Sequence, residues 1–203
     1  MTVAQEIEMK LSIAQSVSLD EVRGMCSFLS GGEGRAVKMA ARYFDTEDGL
    51  LAKARLAYRT RKENHRWVAA LKGSGKSENG LHQRLEIERD IESGEADLSV
   101  FDDTEGRELI APYKNAQLTA IVETEFSRTV WMVSDRAARI EIALDEGEIR
   151  AGGKALLIRE LELELKSGDL DALYALSNWL KEQFDLTEEN DSKFARGLAL
   201  RRG

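Results

Sequence analysis

Apolar and polar residues alternate strictly in three stretches of this chain. In Glu6-Ile7-Glu8-Met9-Lys10-Leu11, Glu6, Glu8 and Lys10 share one strand face, and Ile7, Met9 and Leu11 share the other. Arg84-Leu85-Glu86-Ile87-Glu88 and Glu160-Leu161-Glu162-Leu163-Glu164-Leu165 repeat the arrangement. Second neighbours on a strand lie about 7 Å apart, so each stretch presents a row of charges opposite a row of aliphatics. Strands are therefore expected over 5–11, 81–91 and 156–166. Further strands are expected over 36–45, 120–133 and 139–145, with 148–150 extending the last. Residues 50–62 and 65–72 read as an antiparallel pair joined through Glu63-Asn64, and Gly73 to Gly80 as a flexible loop. A helix is expected over 18–29, capped by Ser18 with Glu21 three residues on and ended by Gly31, Gly32 and Gly34. Leu170, Leu173, Leu176, Leu180 and Phe184 fall on one side of an amphipathic helix over 169–184. Short helices are expected around Pro112 within 94–120, and another within 190–200.

About eight strands in mostly hairpin order imply antiparallel pairing, and eight such strands can close on themselves and remove their edges. The expected fold class is α+β: an eight-stranded antiparallel β-barrel with helices packed outside, formed as one domain over 1–203. The competing arrangement is an open sheet whose charges face water in salt-bridge ladders.

Composition narrows the function. Charged residues make up 33% and hydrophobic residues 42% of 203, enough for a folded core. No apolar run approaches the ~20 residues that span a bilayer, so no membrane role is expected. The stretch from Met1 to Gln5 has neither a basic nor an apolar leader, and the single Cys26 cannot form an internal disulfide. A cytoplasmic location follows as the default. The net charge of −8 argues against nucleic acid as a partner. It leaves an anionic substrate open, because screened distant charge yields to the local field of a site. Nothing in the pattern sets an oligomeric state.

Strand parity gathers Glu6, Glu8, Glu86, Glu88, Glu141, Asp145, Glu160, Glu162 and Glu164 on one face with Lys10, Arg59, Arg61, Lys72, Arg84 and Arg128. Such a set is costly to bury, so water, ions or substrate are expected to fill the interior. Carboxylate oxygens suit hard cations such as Mg²⁺ or Mn²⁺. Arginine and lysine grip phosphate oxygens. The combination matches phosphoryl transfer, in which positioning and charge neutralisation do most of the catalysis.

At this point the chain resembles CYTH domains, the triphosphate tunnel metalloenzymes, whose signature is E-x-E-x-K. Glu6-x-Glu8-x-Lys10 carries it. Supporting matches follow in order: Tyr43-Phe44-Asp45-Thr46, Arg59-x-Arg61, Trp67 to Lys72, Arg84-x-Glu86-x-Glu88, Arg128, Leu144-Asp145-x-Gly147, Glu160-x-Glu162 and Ser192-Lys193-x-x-Arg196-Gly197. Gly80 to Arg84 and Glu160 to Leu165 look most like bacterial inorganic triphosphatases, which often carry a C-terminal CHAD domain; none is expected within these 203 residues. Phe126 departs from the pattern, where many relatives place a lysine.

The resemblance implies that Glu6, Glu8, Glu160 and Glu162 hold a catalytic Mg²⁺ or Mn²⁺ with Asp145 assisting. Glu164 competes for a place in that set. Glu86 and Glu88 would hold a second metal that activates water. Lys10, Arg59, Arg61, Lys72, Arg84 and Arg128 would line a triphosphate track, closed by Lys193 and Arg196. The implied activity is hydrolysis of inorganic triphosphate to diphosphate and phosphate. The alternatives are an organic triphosphatase acting on thiamine triphosphate or a nucleotide, a class IV adenylyl cyclase, and a polyphosphate-binding module. An interior charged on every wall, with Tyr43 near one end and Trp67 and Trp131 on the opposite parity, favours the inorganic substrate.

Other signals are weaker. Gly73-Ser74-Gly75-Lys76-Ser77 resembles the end of a phosphate-binding loop, but position 70 is alanine and a strand follows where a helix is required. His65 and His82 lack ligand spacing, Trp67 and Trp131 read as outer-face packing, and no nucleophilic triad is visible.

Overall fold

The computed structural model describes residues 4–103, 105–134 and 136–202, with the side chains of 4–6, 74–77 and 82–85 outside that description. The described strands are β1 (Ala4–Ile13), β2 (Arg35–Asp45), β3 (Ala57–Glu63), β4 (Arg66–Glu78), β5 (Leu81–Ile91), β6 (Thr119–Ser134), β7 (Ala138–Ala151), β8 (Lys154–Gly168) and β9 (Leu186–Glu188). They form one antiparallel sheet in the order β5-β4-β3-β2-β6-β7-β8-β1-β9, with an additional β5–β1 pairing. The expected eight strands are thus nine. The three-residue β9 pairs with Leu11 to Ile13 of β1, beyond the Ala4 to Met9 stretch that pairs with β5. The other edge of β1 pairs with β8, Lys10 lying opposite Glu162.

Among the described residues there are five α-helices: α1 (Leu19–Ser30), α2 (Leu50–Lys53), α3 (Arg107–Ile110), α4 (Leu170–Gln183) and α5 (Lys193–Arg202). Their apolar sides cover the outward aliphatics of the strands. Val22 and Cys26 of α1 and Leu173 and Leu180 of α4 pack with Met9, Leu11, Ile142, Leu144, Leu161 and Leu163. Each such buried side chain contributes about 1.5–3 kcal/mol relative to exposure. Trp131 joins this cluster, its indole Nε1 donating to Ser27 Oγ at 3.1 Å, in line with its outer-face parity. A second cluster over β3 to β5 takes Leu51, Leu56, Phe101 and Ile110.

Several local expectations are corrected. Ser18 precedes α1, but its side chain makes no capping bond. Residues 50–56 are not strand. The buried Asp45 carboxylate accepts from the backbone N–H of Leu51 at 2.8 Å and Ala52 at 3.0 Å, and this turns the chain into α2. The end of α2 is a Schellman motif: Leu56 N–H donates to Leu51 O at 2.9 Å and Arg55 N–H to Ala52 O at 3.0 Å. Its left-handed position is filled by Arg55 at φ +57°. Glycine is the usual residue there, and a side chain costs roughly 1–2 kcal/mol. The expected flexible loop over 73–80 is largely strand: β4 extends to Glu78 and pairs with β5, after a one-residue bulge between Lys72 and Gly75. Only Asn79 and Gly80 remain as the turn. β7 runs unbroken through 148–150.

Candidate active site

Three carboxylates meet where β7 and β8 pair. Asp145 lies opposite Glu160 and Ala143 opposite Glu162, so all three acids face one side. One oxygen from each lies within 4.8 Å of the others. Asp145 and Glu160 are fully buried and Glu162 nearly so. The charge is balanced from three directions. Lys193 of α5 donates through Nζ to Asp145 Oδ2 at 2.7 Å, to Glu162 Oε1 at 3.0 Å and to Glu160. Arg128 of β6 holds Asp145 with a two-pronged grip at 2.8 and 2.7 Å, and also donates to Glu162. Lys10 of β1 bridges Glu8 and Glu162, each at 2.8 Å. Arg196 reaches Glu160.

The electrostatics follow from this packing. Burial alone would raise the Glu162 carboxyl, but Arg128, Lys10 and Lys193 hold it well below the usual carboxylate range. Burial works against the Lys193 ammonium too, yet Asp145, Glu160 and Glu162 push it above the ordinary lysine range. The expectation that solvent, ions or substrate must fill the interior is therefore revised. The protein's own ion pairs neutralise much of it.

Helix α5 reaches this point because Gly197 lets it lie directly on β6; a Cβ there would sit 2.3 Å from Val122. One turn earlier, Phe194 stacks on Tyr43 with ring centroids 5.0 Å apart. Lys193 and Arg196, three residues apart on a helix, then point the same way.

A second wall comes from β3, β4 and β5. Arg59 contacts Glu86 at 3.3 Å and Glu88 at 3.7 Å and donates to the Tyr43 hydroxyl at 3.4 Å. Arg61 pairs with Glu88 at 3.0 Å and with Glu63. Lys72 pairs with Glu86. Burial raises the Tyr43 phenol, but the Arg59 charge and hydrogen bond outweigh it and lower the pKa. Burial and the Arg59 charge together lower Arg61. The Nε atoms of Arg59, Arg61 and Arg196 are buried with no hydrogen-bond partner among the described residues. Buried donors of this kind are rare in folded proteins and call for an acceptor.

Both walls border one cavity of about 260 Å³. Glu8, Lys10, Arg59, Arg61, Lys72, Arg128, Glu162 and Lys193 line it. So do Met39, Ala41, Tyr43, Leu56, Phe126, Phe194 and Leu198, which corrects the expectation of charge on every wall. Phe126 replaces the lysine of the resembling pattern with a ring lying 5.7 Å from the Arg128 guanidinium carbon and 5.0 Å from Lys193 Nζ. The family resemblance marked the Phe126 position but not this platform.

The remaining expected site residues are placed as follows. Glu164 does not join the three carboxylates; it pairs with Lys166 at 2.6 Å, which also approaches Glu141 at 3.6 Å. Glu86 and Glu88 are held by the arginine wall and not beside Asp145. Glu6 and Arg84 lie opposite one another in the β1–β5 register, and their side chains are outside the described residues, as is that of His82. Cys26 is no nucleophile, since burial pushes its thiol up to about 12.

The CYTH domain family matches residues 4–198. This chain belongs to the CYTH family. It is 31% identical over 196 residues to an inorganic triphosphatase of Haemophilus influenzae, covering 97% of this chain. The chain spans 55% of that relative's length. Among solved structures, the CYTH chain is similar in fold to a Hippeastrum protein described as an adenylyl cyclase with a dominant triphosphatase activity. The TM-score is 0.68 at 20% identity, over 97% of this chain and 95% of that one. The Pyrococcus horikoshii protein PH1819 is similar at TM-score 0.55 and 18% identity, over 98% and 99% of the two chains. No described helix is long and apolar enough to cross a membrane.

Proposed function

We propose that this CYTH protein hydrolyses inorganic triphosphate to diphosphate and phosphate in the cavity between the two walls. The observation that carries the reading is the row of buried arginine donors without acceptors beside a converging carboxylate trio. The β5–β1 pairing joins the two ends of an eight-strand run. It supports a closed barrel, with β9 appended at one edge, as the shape that surrounds the substrate.

Asp145, Glu160 and Glu162 offer hard oxygen donors at a spacing that fits Mg²⁺ or Mn²⁺. Glu8 is tied to Glu162 through Lys10, and Glu6 joins the set as the resemblance implies. Glu164 belongs to the strand end with Lys166. Bound there, a divalent cation neutralises phosphoryl charge and polarises the phosphorus. Lys10, Arg59, Arg61, Lys72 and Arg128, with Arg84, orient the chain of phosphates. When water attacks the terminal phosphorus and the bridging P–O bond breaks, the negative charge on the leaving diphosphate falls on these donors. One of Glu86 and Glu88, on the wall that carries Arg59 and Arg61, takes the water's proton. Lys193 and Arg196 close the cavity from α5.

Activity is expected to vanish in EDTA and return with Mg²⁺ or Mn²⁺. Glu8→Gln is expected to lower kcat by orders of magnitude without unfolding the protein. Full activity after chelation excludes the metal role. The apolar stretch from Met39 to Leu198 around the cavity favours a second reading, an organic triphosphate. Initial rates decide between them. The inorganic assignment expects kcat/KM for tripolyphosphate to exceed that for ATP and thiamine triphosphate by at least ~10-fold, about 1.4 kcal/mol. The reverse order, or cyclic AMP as the main product from ATP, replaces it.

A further inference from the structure

Arg55 lines the same cavity but takes no part in its ion pairs. Lys10, Arg59, Arg61, Lys72, Arg128 and Lys193 each touch a carboxylate. Arg55 is exposed, and its side chain has no hydrogen bond or ion pair among the described residues. Its neighbours on this stretch of wall, Ala52, Leu56 and Ala57, are apolar, so it supplies the only charge that residues 52–57 bring to the lining. It precedes Arg59 by four residues and lies just before β3 begins at Ala57.

Its backbone is also unusual. Arg55 fills the left-handed position of the Schellman motif, at φ +57°, where glycine fits without strain. The flanking Leu51 and Leu56 are buried, and the Asp45 carboxylate grips the N–H groups of Leu51 and Ala52. A guanidinium is thus presented to the cavity from a rigid base, at a position where the fold alone would favour no side chain. Strain kept at such a point is the mark of a side chain held for use.

We propose that Arg55 is a rim anion site that takes the trailing phosphate of a linear polyphosphate. It thereby favours substrates negatively charged at both ends over organic triphosphates, whose trailing end is a neutral nucleoside or a cationic thiamine; this rests on the assignment of the cavity to triphosphates. The site also offsets, at the rim, the repulsion that a net charge of −8 exerts on an incoming polyanion.

The test compares wild type with Arg55→Ala, Arg55→Gly and Arg55→Lys at low salt. It uses steady-state kinetics and calorimetric titration with tripolyphosphate and with ATP. Arg55→Ala and Arg55→Gly are expected to raise KM and Kd for tripolyphosphate ~5–10-fold, with kcat and the ATP constants changed less than ~2-fold. Arg55→Lys keeps most of the affinity, since a point charge suffices at an exposed rim. Arg55→Gly does not lower Tm, because glycine is at home at this φ. The loss shrinks in 0.5 M NaCl, as expected for an exposed charge. Equal losses for tripolyphosphate and ATP, or no loss, overturn the proposal. Wild-type affinity in Arg55→Gly assigns the alanine effect to the backbone and overturns it too. Wild-type protein that binds tripolyphosphate without hydrolysing it overturns the hydrolase assignment and leaves the titration to judge Arg55. Wild-type protein that does not bind it overturns both.

Discussion

The two walls of the cavity carry similar chemistry in different surroundings. On the β7–β8 side, Asp145 and Glu160 have no exposed surface, and each meets more than one cation. On the β3–β5 side, the Glu88 side chain is 41% exposed and its partners Arg61 and Arg59 lie at 3.0 and 3.7 Å. In the dry cluster, desolvation makes every charge dependent on its partners, so geometry is fixed before any ligand arrives. On the second wall the arginines are largely buried, but water reaches Glu88 and screens its pairs, so Arg59 and Arg61 can exchange that carboxylate for a phosphate at smaller cost. One wall is suited to hold a fixed array of oxygens. The other is suited to bind and release an anion.

The largest effect that separates the walls is expected from Lys193→Met. Its Nζ is where Asp145, Glu160 and Glu162 converge, and removing it leaves buried carboxylates short of a cation. The unfolding free energy should fall by about 3–5 kcal/mol in denaturant titrations. Mg²⁺ should restore part of that loss in the variant, because an ion that binds only the folded state stabilises it by linkage. A loss below about 1 kcal/mol would place this cluster in the same class as a surface pair.

On the second wall the expected cost is functional. Arg59→Ala and Arg61→Ala should each lower kcat/KM for tripolyphosphate by about 2–4 kcal/mol, as truncation of a charge-assisted partner does. Stability should change by less than about 1 kcal/mol in Arg61→Ala. The lysine variants should recover only part, because the fork is lost. The double alanine variant should lose less than the sum, since both side chains grip one anion. Wild-type kinetics in both single variants would remove this wall from the binding site.

Much of this contrast was legible in the chain, because strand parity is a local property. Alternation alone put Glu8, Lys10, Arg59, Arg61, Lys72, Arg128, Asp145, Glu160 and Glu162 on a common side, where the structure has them. Parity gives the face and not the depth. Glu164 shares the face of Glu162 but sits two residues nearer the strand end, with Lys166. Elements set by distant partners were missed. α2 depends on the Asp45 carboxylate, the glycine-rich end of β4 on pairing with β5, and β9 on an edge of β1 more than 170 residues earlier. The ion pairing that neutralises the interior was also hidden, since it depends on α5 entering at the exact height of Asp145. That docking needs Gly197 on Val122 and Phe194 on Tyr43.

The smallest expected effect is on Glu88, and it tests the comparison from its weak side. Glu88→Gln keeps the shape of the side chain and removes one charge from a partly exposed pair. Exposed pairs are worth about 0–1 kcal/mol, and Arg61 keeps Glu63 as a second partner. The unfolding free energy should therefore drop by no more than about 1 kcal/mol at low salt. The drop should approach zero at high salt, where screening has already weakened the wild-type pair. Urea titrations of both proteins at two salt concentrations measure this directly. If Glu88→Gln costs as much as Lys193→Met, and the cost persists in salt, the walls are energetically alike and the division of labour between them fails. If stability holds while kcat falls with KM unchanged, Glu88 acts on the reacting water and not as a mere counter-charge for Arg61. A carboxylate that takes a proton only in the transition state would give that result.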